Sequence, residues 1–399
     1  MDVPRRVRWQ YYVYRVTNSM GFYVPVSVIY LLHRGYGLEY IGLLQAVFSV
    51  SLLVAEVPSG YLGDRLGRRR TLAVGSLLRA AGLLGYVVVD FAAGYLLLKI
   101  CFGVGWAFRS GNRDAWLYDV LDSYGDTACF ARVDSRASTA LLLASAGGAL
   151  AGGVLYGLDP ALPFLVNGTV ALLGLPVLAA MPDGSGDHGD NPVTVRTAVD
   201  TLRAQTRRPE VRWVVAYTVV LFLVFDLTRT FEQPALDAIG VSTAGMGVLY
   251  AAFKLVSAGA AAAVGQIQET LGTRRSLLLA APLVGLSYAA IAVVPLAVVP
   301  ALFLYRSLRV VIRPIRNQYL NDRLADVGRA TVLSGVSMVL SLAGAFARVG
   351  GGAVANRTGP LLFLAGAGVT LSLSAGLLWI AVSPVRPAAP GDVVASADD

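Results

Sequence analysis

Charge is scarce in this chain: 15% of its 399 residues are Asp, Glu, Lys or Arg, against about a quarter in soluble globular proteins. With 56% hydrophobic residues and a positive mean hydropathy, that shortage excludes water as the solvent for most of the chain. Cysteine is nearly absent. Cys101 and Cys129 are the only two, too few for a disulfide framework, and they read as reduced, small apolar residues. His33 and His188 stand too far apart in the sequence to suggest a metal site, so no metal or other cofactor is expected. A phosphate-binding loop of the Gly-x4-Gly-Lys-Ser/Thr kind is missing, which argues against an ATP-driven pump. No nucleophile with a matching base emerges, which argues against an enzyme. A cleavable leader is not expected either, because the first apolar stretch is too long for a signal-peptide core and lacks a clear small-residue cleavage site.

What the chain has instead is apolar length. A membrane-crossing helix needs about 20 apolar residues, and stretches of that order are expected at 10–33, 38–62, 71–90, 91–117, 135–157, 161–181, 211–233, 243–267, 275–295, 297–322, 329–355 and 359–383. Basic loop residues set the orientation, since cytoplasmic loops retain Lys and Arg. With the N-terminus inside, the inner segments take Arg5, Arg65, Arg70, Arg136, Arg207, Arg275 and many more, whereas the outer loops hold only Arg34 and Arg357. Both termini are therefore expected in the cytoplasm. The formal charge of +8 is a topology signal; spread over many short loops, it does not form the basic patch with interleaved aromatics of a nucleic-acid site, and no nucleic-acid partner is expected. Residues 182–210, rich in Gly, Pro and acids at their start, read as a cytoplasmic linker with a short amphipathic helix over 193–208, and 384–399 as a disordered tail.

One loop repeats. Gly60, Gly63, Asp64 and Gly67, followed by Arg68, Arg69 and Arg70, combine glycines that permit a tight turn with a carboxylate beside a basic cluster. At an offset of 205, Gly265, Glu269, Gly272, Arg274 and Arg275 reproduce Gly60, Asp64, Gly67, Arg69 and Arg70. A second pair of segments, at an offset of 203, aligns Arg113 with Arg316 and Asp119 with Asp322. Both pairs indicate a duplicated chain.

The Gly60–Leu72 run resembles the loop between the second and third helices of major facilitator superfamily transporters. Glu56 to Gly60 is similar to an acidic, proline-containing extension of that motif. Lys99 to Ala107 resembles the fourth-helix motif of the superfamily, with Lys99 in place of the usual arginine, and Gly147, Gly148, Gly152 and Gly153 resemble the glycine-rich fifth helix of its antiporters without the characteristic proline. The resemblance implies an all-α membrane protein with twelve transmembrane helices in two pseudo-symmetric six-helix bundles, 1–181 and 211–383. It also implies that Asp64 and its neighbours stabilise the outward-open state. Gly60, Asp64, Gly67, Arg68, Arg69, Glu269, Gly272, Arg274, Asp119 and Asp322 are accordingly the gate candidates, with ordinary helix capping as the other reading of Asp119 and Asp322.

Charges inside lipid are costly, roughly 2.5–3.5 kcal/mol each on insertion scales, and need a partner, a wet cavity or both. On the seventh span Asp226, Arg229 and Glu232 recur every three residues on one face; they are proton-coupling candidates, against the alternative of a permanent Asp226–Arg229 pair. On the tenth, Arg306, Arg309, Arg313 and Arg316 fall on a single stripe. With Lys254 and Arg109 they make the expected interior more basic than acidic. Asn18, Gln45, Lys99, Arg109, Lys254, Arg306 and Arg309 are the substrate-cavity candidates.

The sequence therefore reads as a monomeric secondary transporter in the plasma (inner) membrane, in contact with lipid, protons and a small-molecule substrate. Proton-coupled efflux of an amphipathic compound is the leading expectation, and uptake or exchange of an organic anion the alternative. A voltage-responsive protein using the tenth-span arginines is the alternative of another class, with no recognisable pore filter to support it.

Overall fold

The computed structural model describes residues 4–183, 209–321 and 329–384, with side chains omitted at 209–211, 321 and 329–334. The expected helix over 193–208 and most of the linker, the gate candidate Asp322, its neighbour Arg323 and the tail after 384 lie outside the described residues.

Among the described residues the regular structure is entirely helical. The first unit begins with α1 (Arg5–Thr17), α2 (Ser27–His33), α3 (Leu38–Leu66), α4 (Arg68–Val88), α5 (Ala92–Ser123), α6 (Phe130–Leu158) and α7 (Leu162–Ala180). There follow α8 (Pro209–Ala238), α9 (Thr243–Ala262), α10 (Val264–Val293), α11 (Val298–Asn321), α12 (Arg329–Thr358) and α13 (Pro360–Val382). Among the described residues eleven helices are long and apolar enough to cross a membrane. They account for every expected span except the first, because only helices satisfy their own backbone in hydrocarbon.

The first span, expected as one run over 10–33, is broken. α1 ends at Thr17, a 3-10 turn occupies Val24–Val26, and α2 starts at Ser27. The reason is visible in the partners: the carbonyls of Thr17 and Ser19 accept hydrogen bonds from the buried Arg79 guanidinium, and Asn167 Nδ2 also donates to Ser19 O at 2.8 Å. Side chains of α4 and α7 thus replace the missing helical bonds.

By packing, the chain divides into two compact units: Met1–Asn191 with Thr230–Leu255 and Ala345–Arg357, and Pro192–Arg229 with Val256–Gly344 and Thr358–Asp399. In the first unit α5 packs on α3 and α4, α4 on α7, and α1 on α6 and α7. Tyr86 stacks on Phe164 at 4.7 Å, and Tyr30 packs on the same ring at 4.7 Å. In the second, α10 packs on α13 and α11.

The duplication is visible in the backbone. Gly67, between α3 and α4, has φ 89° and ψ 141°; Gly272, which breaks α10, has φ 69° and ψ 165°. These are backbone regions that glycine alone adopts readily. Four residues on, Thr71 Oγ1 donates to Gly67 O at 3.1 Å and Ser276 Oγ to Gly272 O at 2.8 Å. The same local device therefore opens both helices, at the offset of 205 seen in the sequence.

Gly67→Ala is expected to destabilise the protein by about 1–3 kcal/mol. Gly60→Ala, at a helical position where an added Cβ meets nothing within 4 Å, should be neutral or slightly stabilising. Thermal unfolding of the two variants in detergent checks the contrast, and equal unfolding temperatures would refute it.

Candidate functional site

At one end of the first unit the repeated loop forms a charge relay. α3 and α4 place Asp64 and Arg68 one turn apart across the Gly67 corner, and Arg68 Nη2 lies 2.7 Å from Asp64 Oδ1. The same guanidinium reaches α5, with Nε 3.7 Å from Asp119 Oδ2 and Nη1 donating to Asn112 Oδ1 at 3.1 Å. Asp119 is buried and Asp64 half-exposed, so solvent screens the Asp64 contact far more than the Asp119 contact. Gly63 lets the two helices meet: a Cβ there would fall 1.9 Å from Asn112 Oδ1. Asn112 in turn donates to Ser59 O at 3.1 Å. Arg69 turns the other way, pairing with Asp183 at 2.7 Å and donating to Met181 O at 2.7 Å and Ala179 O at 3.3 Å. Trp116 Nε1 holds Pro182 O at 3.0 Å.

The second copy keeps the corner, and among the described residues no relay accompanies it; Asp322, the counterpart of Asp119, lies outside them. Glu269 and Arg274 are exposed, Arg274 lies over the Trp379 ring at 5.9 Å, and no ion pair involves either residue among the described residues. The expectation of a gate built from Glu269, Gly272 and Arg274 thus meets a conserved backbone and a dispersed set of charges.

The opposite end of the first unit is fastened by two amides and an arginine that bond mainly to backbone. Gln233, near the end of α8, accepts from Val28 N at 2.9 Å and Ile29 N at 3.4 Å, and donates to Val24 O at 2.6 Å. These are backbone groups that the interruption before α2 leaves unpaired. Asn356 on α12 accepts from Leu38 N at 3.1 Å. Arg348 donates to Gln45 O at 2.8 Å and Ser49 Oγ at 2.6 Å, so Gln45, a cavity candidate, enters through its carbonyl. Beside Gln233, the buried Glu232 accepts from Tyr250 OH.

Of the other candidates, Asn18 and Arg109 come together: Arg109 donates to Asn18 Oδ1 and, through Nε, to Gly105 O at 3.0 Å. Lys99 is half-buried over the Phe102 ring at 5.9 Å, and Lys254 is half-buried on α9. Asp226 is buried, but Arg229 is exposed, and no ion pair joins them among the described residues. On the face that the spacing defines, Asp226 and Glu232 are buried while Arg229 between them is exposed, so packing covers that face unevenly. Among the described residues no group of three or more His, Cys, Asp or Glu gathers as metal ligands would.

The second unit contains a cavity of about 260 Å3 between α8, α10, α11 and α12. Arg309, Arg313 and Arg316 line it, joined by Asn317, Thr218 and Ser337 and faced by Phe222 and Phe225. Arg306, expected on the same stripe, is not among the lining residues; its guanidinium lies 5.8 Å from the Tyr305 ring centre. The periodicity of α11 therefore brings three of the four arginines to one space.

Sequence reasoning missed Gln233, Asn112, Asn167 and Asn356. Asn167 is a single amide within an apolar run, whereas Asn112, Gln233 and Asn356 stand beside charged residues, and the backbone partners of Gln233 and Asn356 lie more than two hundred residues away in the chain. An intramembrane amide is itself a signal, because an unsatisfied one is costly in lipid.

Residues 12–337 match the Major Facilitator Superfamily. The chain is 26% identical over 242 residues to the uncharacterised MFS-type transporter YxaM of Bacillus subtilis, an alignment covering 58% of this chain and 59% of YxaM. It is 30% identical over 162 residues to YdeG of the same organism, covering 39% of this chain and 36% of YdeG. The match thus spans less than two thirds of these relatives. Among solved structures, a mutant of the nucleoside transporter NupG superposes with a TM-score of 0.83 at 10% identity, covering 94% of this chain and all of NupG. A bacterial homologue of the human lysosomal transporter Spinster, inward-facing and occupied, superposes with a TM-score of 0.75 at 13% identity over 96% of each chain. At these identities the likeness is one of fold. A superfamily match across most of the chain, on a fold of membrane-length helices with the repeated Gly67 and Gly272 corners, identifies this protein as an integral membrane member of the major facilitator superfamily.

Proposed function

We propose that the protein exports a small amphipathic compound across the plasma membrane by alternating access between halves 1–181 and 211–383, drawing on the proton gradient and acting as a monomer. The observation that carries this reading is the set of breakable polar ties between residues of the two halves at one end of the first unit, where Gln233, Arg348 and Asn356 hold backbone and hydroxyl groups of the first and second spans. At the other end Arg68 bridges Asp64 and Asp119 within 1–181 and holds the corner at Gly67. The arginine bias of the loops supports a cytoplasmic position for the Arg68 end and for both termini. An alternating-access protein must release such ties between its halves in each cycle, and hydrogen bonds that exchange for water at modest net cost suit that use.

Asp226 is the proton carrier in this reading. It is a buried carboxylate within a membrane span, and such residues mark ion and proton paths in transporters. Arg229, being exposed, is assigned no coupling role, and Glu232 serves the closed end through Tyr250.

The test is proton movement in oriented vesicles with a pH-sensitive dye and a panel of cationic amphiphiles, sugars and organic anions. Compound-dependent proton flux is expected; labelled solute crossing without proton movement would remove the coupling and leave a facilitator. Asp226→Asn should reduce solute-driven proton flux to background while solute exchange persists, and unchanged coupling would exclude Asp226. Asp119→Asn should slow flux several-fold and Asp64→Asn less, in line with their burial, with the order of preferred solutes unchanged for both. An altered order in initial-rate competition would assign the loop to selectivity and not to gating.

A further inference from the structure

The cavity of the second unit holds more positive charge than its position in the membrane explains. Arg309 lies near the middle of the span Pro295–Leu320, where an arginine costs roughly 2.5–3.5 kcal/mol on insertion scales. Arginines near the end of a span reach the interface by extending their side chains; one at mid-span is too deep for that and requires a wet cavity, a counter-charge or both. The cavity is there. Among the described residues no carboxylate lines it, and Asp226, on the same helix as Phe222 and Phe225, is not among the lining residues. Among the described residues no ion pair involves Arg309, Arg313 or Arg316, and the only side chain to which Arg316 donates is the neutral amide oxygen of Asn317, at 3.1 Å through Nε and 2.6 Å through Nη2. That contact fixes the guanidinium plane without neutralising it.

The rest of the lining is mixed. Thr218 and Ser337 add hydroxyls, while Phe222, Phe225, Leu221 and Ile312 supply aromatic and branched aliphatic surface. Guanidinium groups recognise carboxylates and phosphates through paired, charge-assisted hydrogen bonds, and a small apolar wall selects for a compact body. At about 260 Å3 the space suits a small solute.

The geometry points to this cavity as the site that receives the oxyanion head, a carboxylate or a phosphate, of a small amphipathic solute whose body is aromatic or branched aliphatic. The assignment rests on the transport reading above and supplies its substrate class. Arg309 binds the anion deepest, Arg316 presents a pre-oriented guanidinium, and Phe222 and Phe225 take the body.

The experiment reads binding separately from flux. The full chain in detergent is titrated, by thermal shift, with matched probes: phenylacetate and phenylacetamide, isovalerate and isovaleramide, phenyl phosphate and phenol. The half-saturating concentration of at least one anion should be tenfold or more below that of its neutral partner. Arg309→Gln should bring the pair within about twofold, Arg309→Lys should fall between, and Arg357→Gln, at the far end of α12, should match the parent. Should Arg309→Gln fail to fold, Arg316→Gln carries the same expectation. Equal affinity for anion and neutral partner, no binding of any anion, or an anion preference that survives both substitutions overturns the proposal. Loss of the preference when phosphatidylglycerol is added assigns the arginines to lipid headgroups and overturns it as well. An anion preference without flux in vesicles would sink the transport reading alone; flux of neutral or cationic solutes without anion preference would sink this proposal alone.

Discussion

A membrane helix that stops must find partners for the backbone it exposes, and the interruption between Thr17 and Val24 organises much of the first unit on that account. Arg79 and Asn167 hold its inner carbonyls, and Gln233 holds Val24, Val28 and Ile29. Three helices distant in sequence are therefore tied to one short stretch. The first tie is deep and charge-assisted; the second is neutral and sits beside the loop end. A break anchored firmly on one side and lightly on the other is suited to bend at the same place each time.

The two halves share a backbone device and differ in what they hang on it. Gly67 and Gly272 adopt matching conformations, each followed by a hydroxyl returning to the glycine carbonyl. Only the first carries a side-chain relay among the described residues. Backbone conformation is a local demand that glycine alone meets, whereas a relay needs three side chains on three helices in register. The charged side chains of the second copy are spread over exposed positions and over the face of Trp379, which leaves the arginines of α11 as the main electrostatic feature of the second unit.

That contrast explains what the sequence reveals. The spans after the first, the Gly67 corner and its repeat, and the Asp64–Arg68 pair are legible because length, backbone sterics and helical spacing are properties of short segments. The arginine stripe is legible for the same reason, although only the packing of α8, α10 and α12 selects Arg309, Arg313 and Arg316 over Arg306. The break in the first span is not legible: Asn18, Ser19 and Gly21 are tolerated inside membrane helices, and the partners that stabilise an interruption sit on other helices. Asp226 and Arg229 show the converse limit, where correct spacing along a helix does not say which side its neighbours cover. Gln233, Asn112 and Arg348 find their roles only with the tertiary fold, since their partners are set by helix packing and not by chain proximity.

Arg69 has a mechanical meaning. By clasping Asp183 and the carbonyls of Ala179 and Met181 while Trp116 holds Pro182, it fixes the chain that leaves α7 to the corner at Gly67. Any rotation of that corner therefore carries residues 179–183 with it and is not absorbed as play at a helix end.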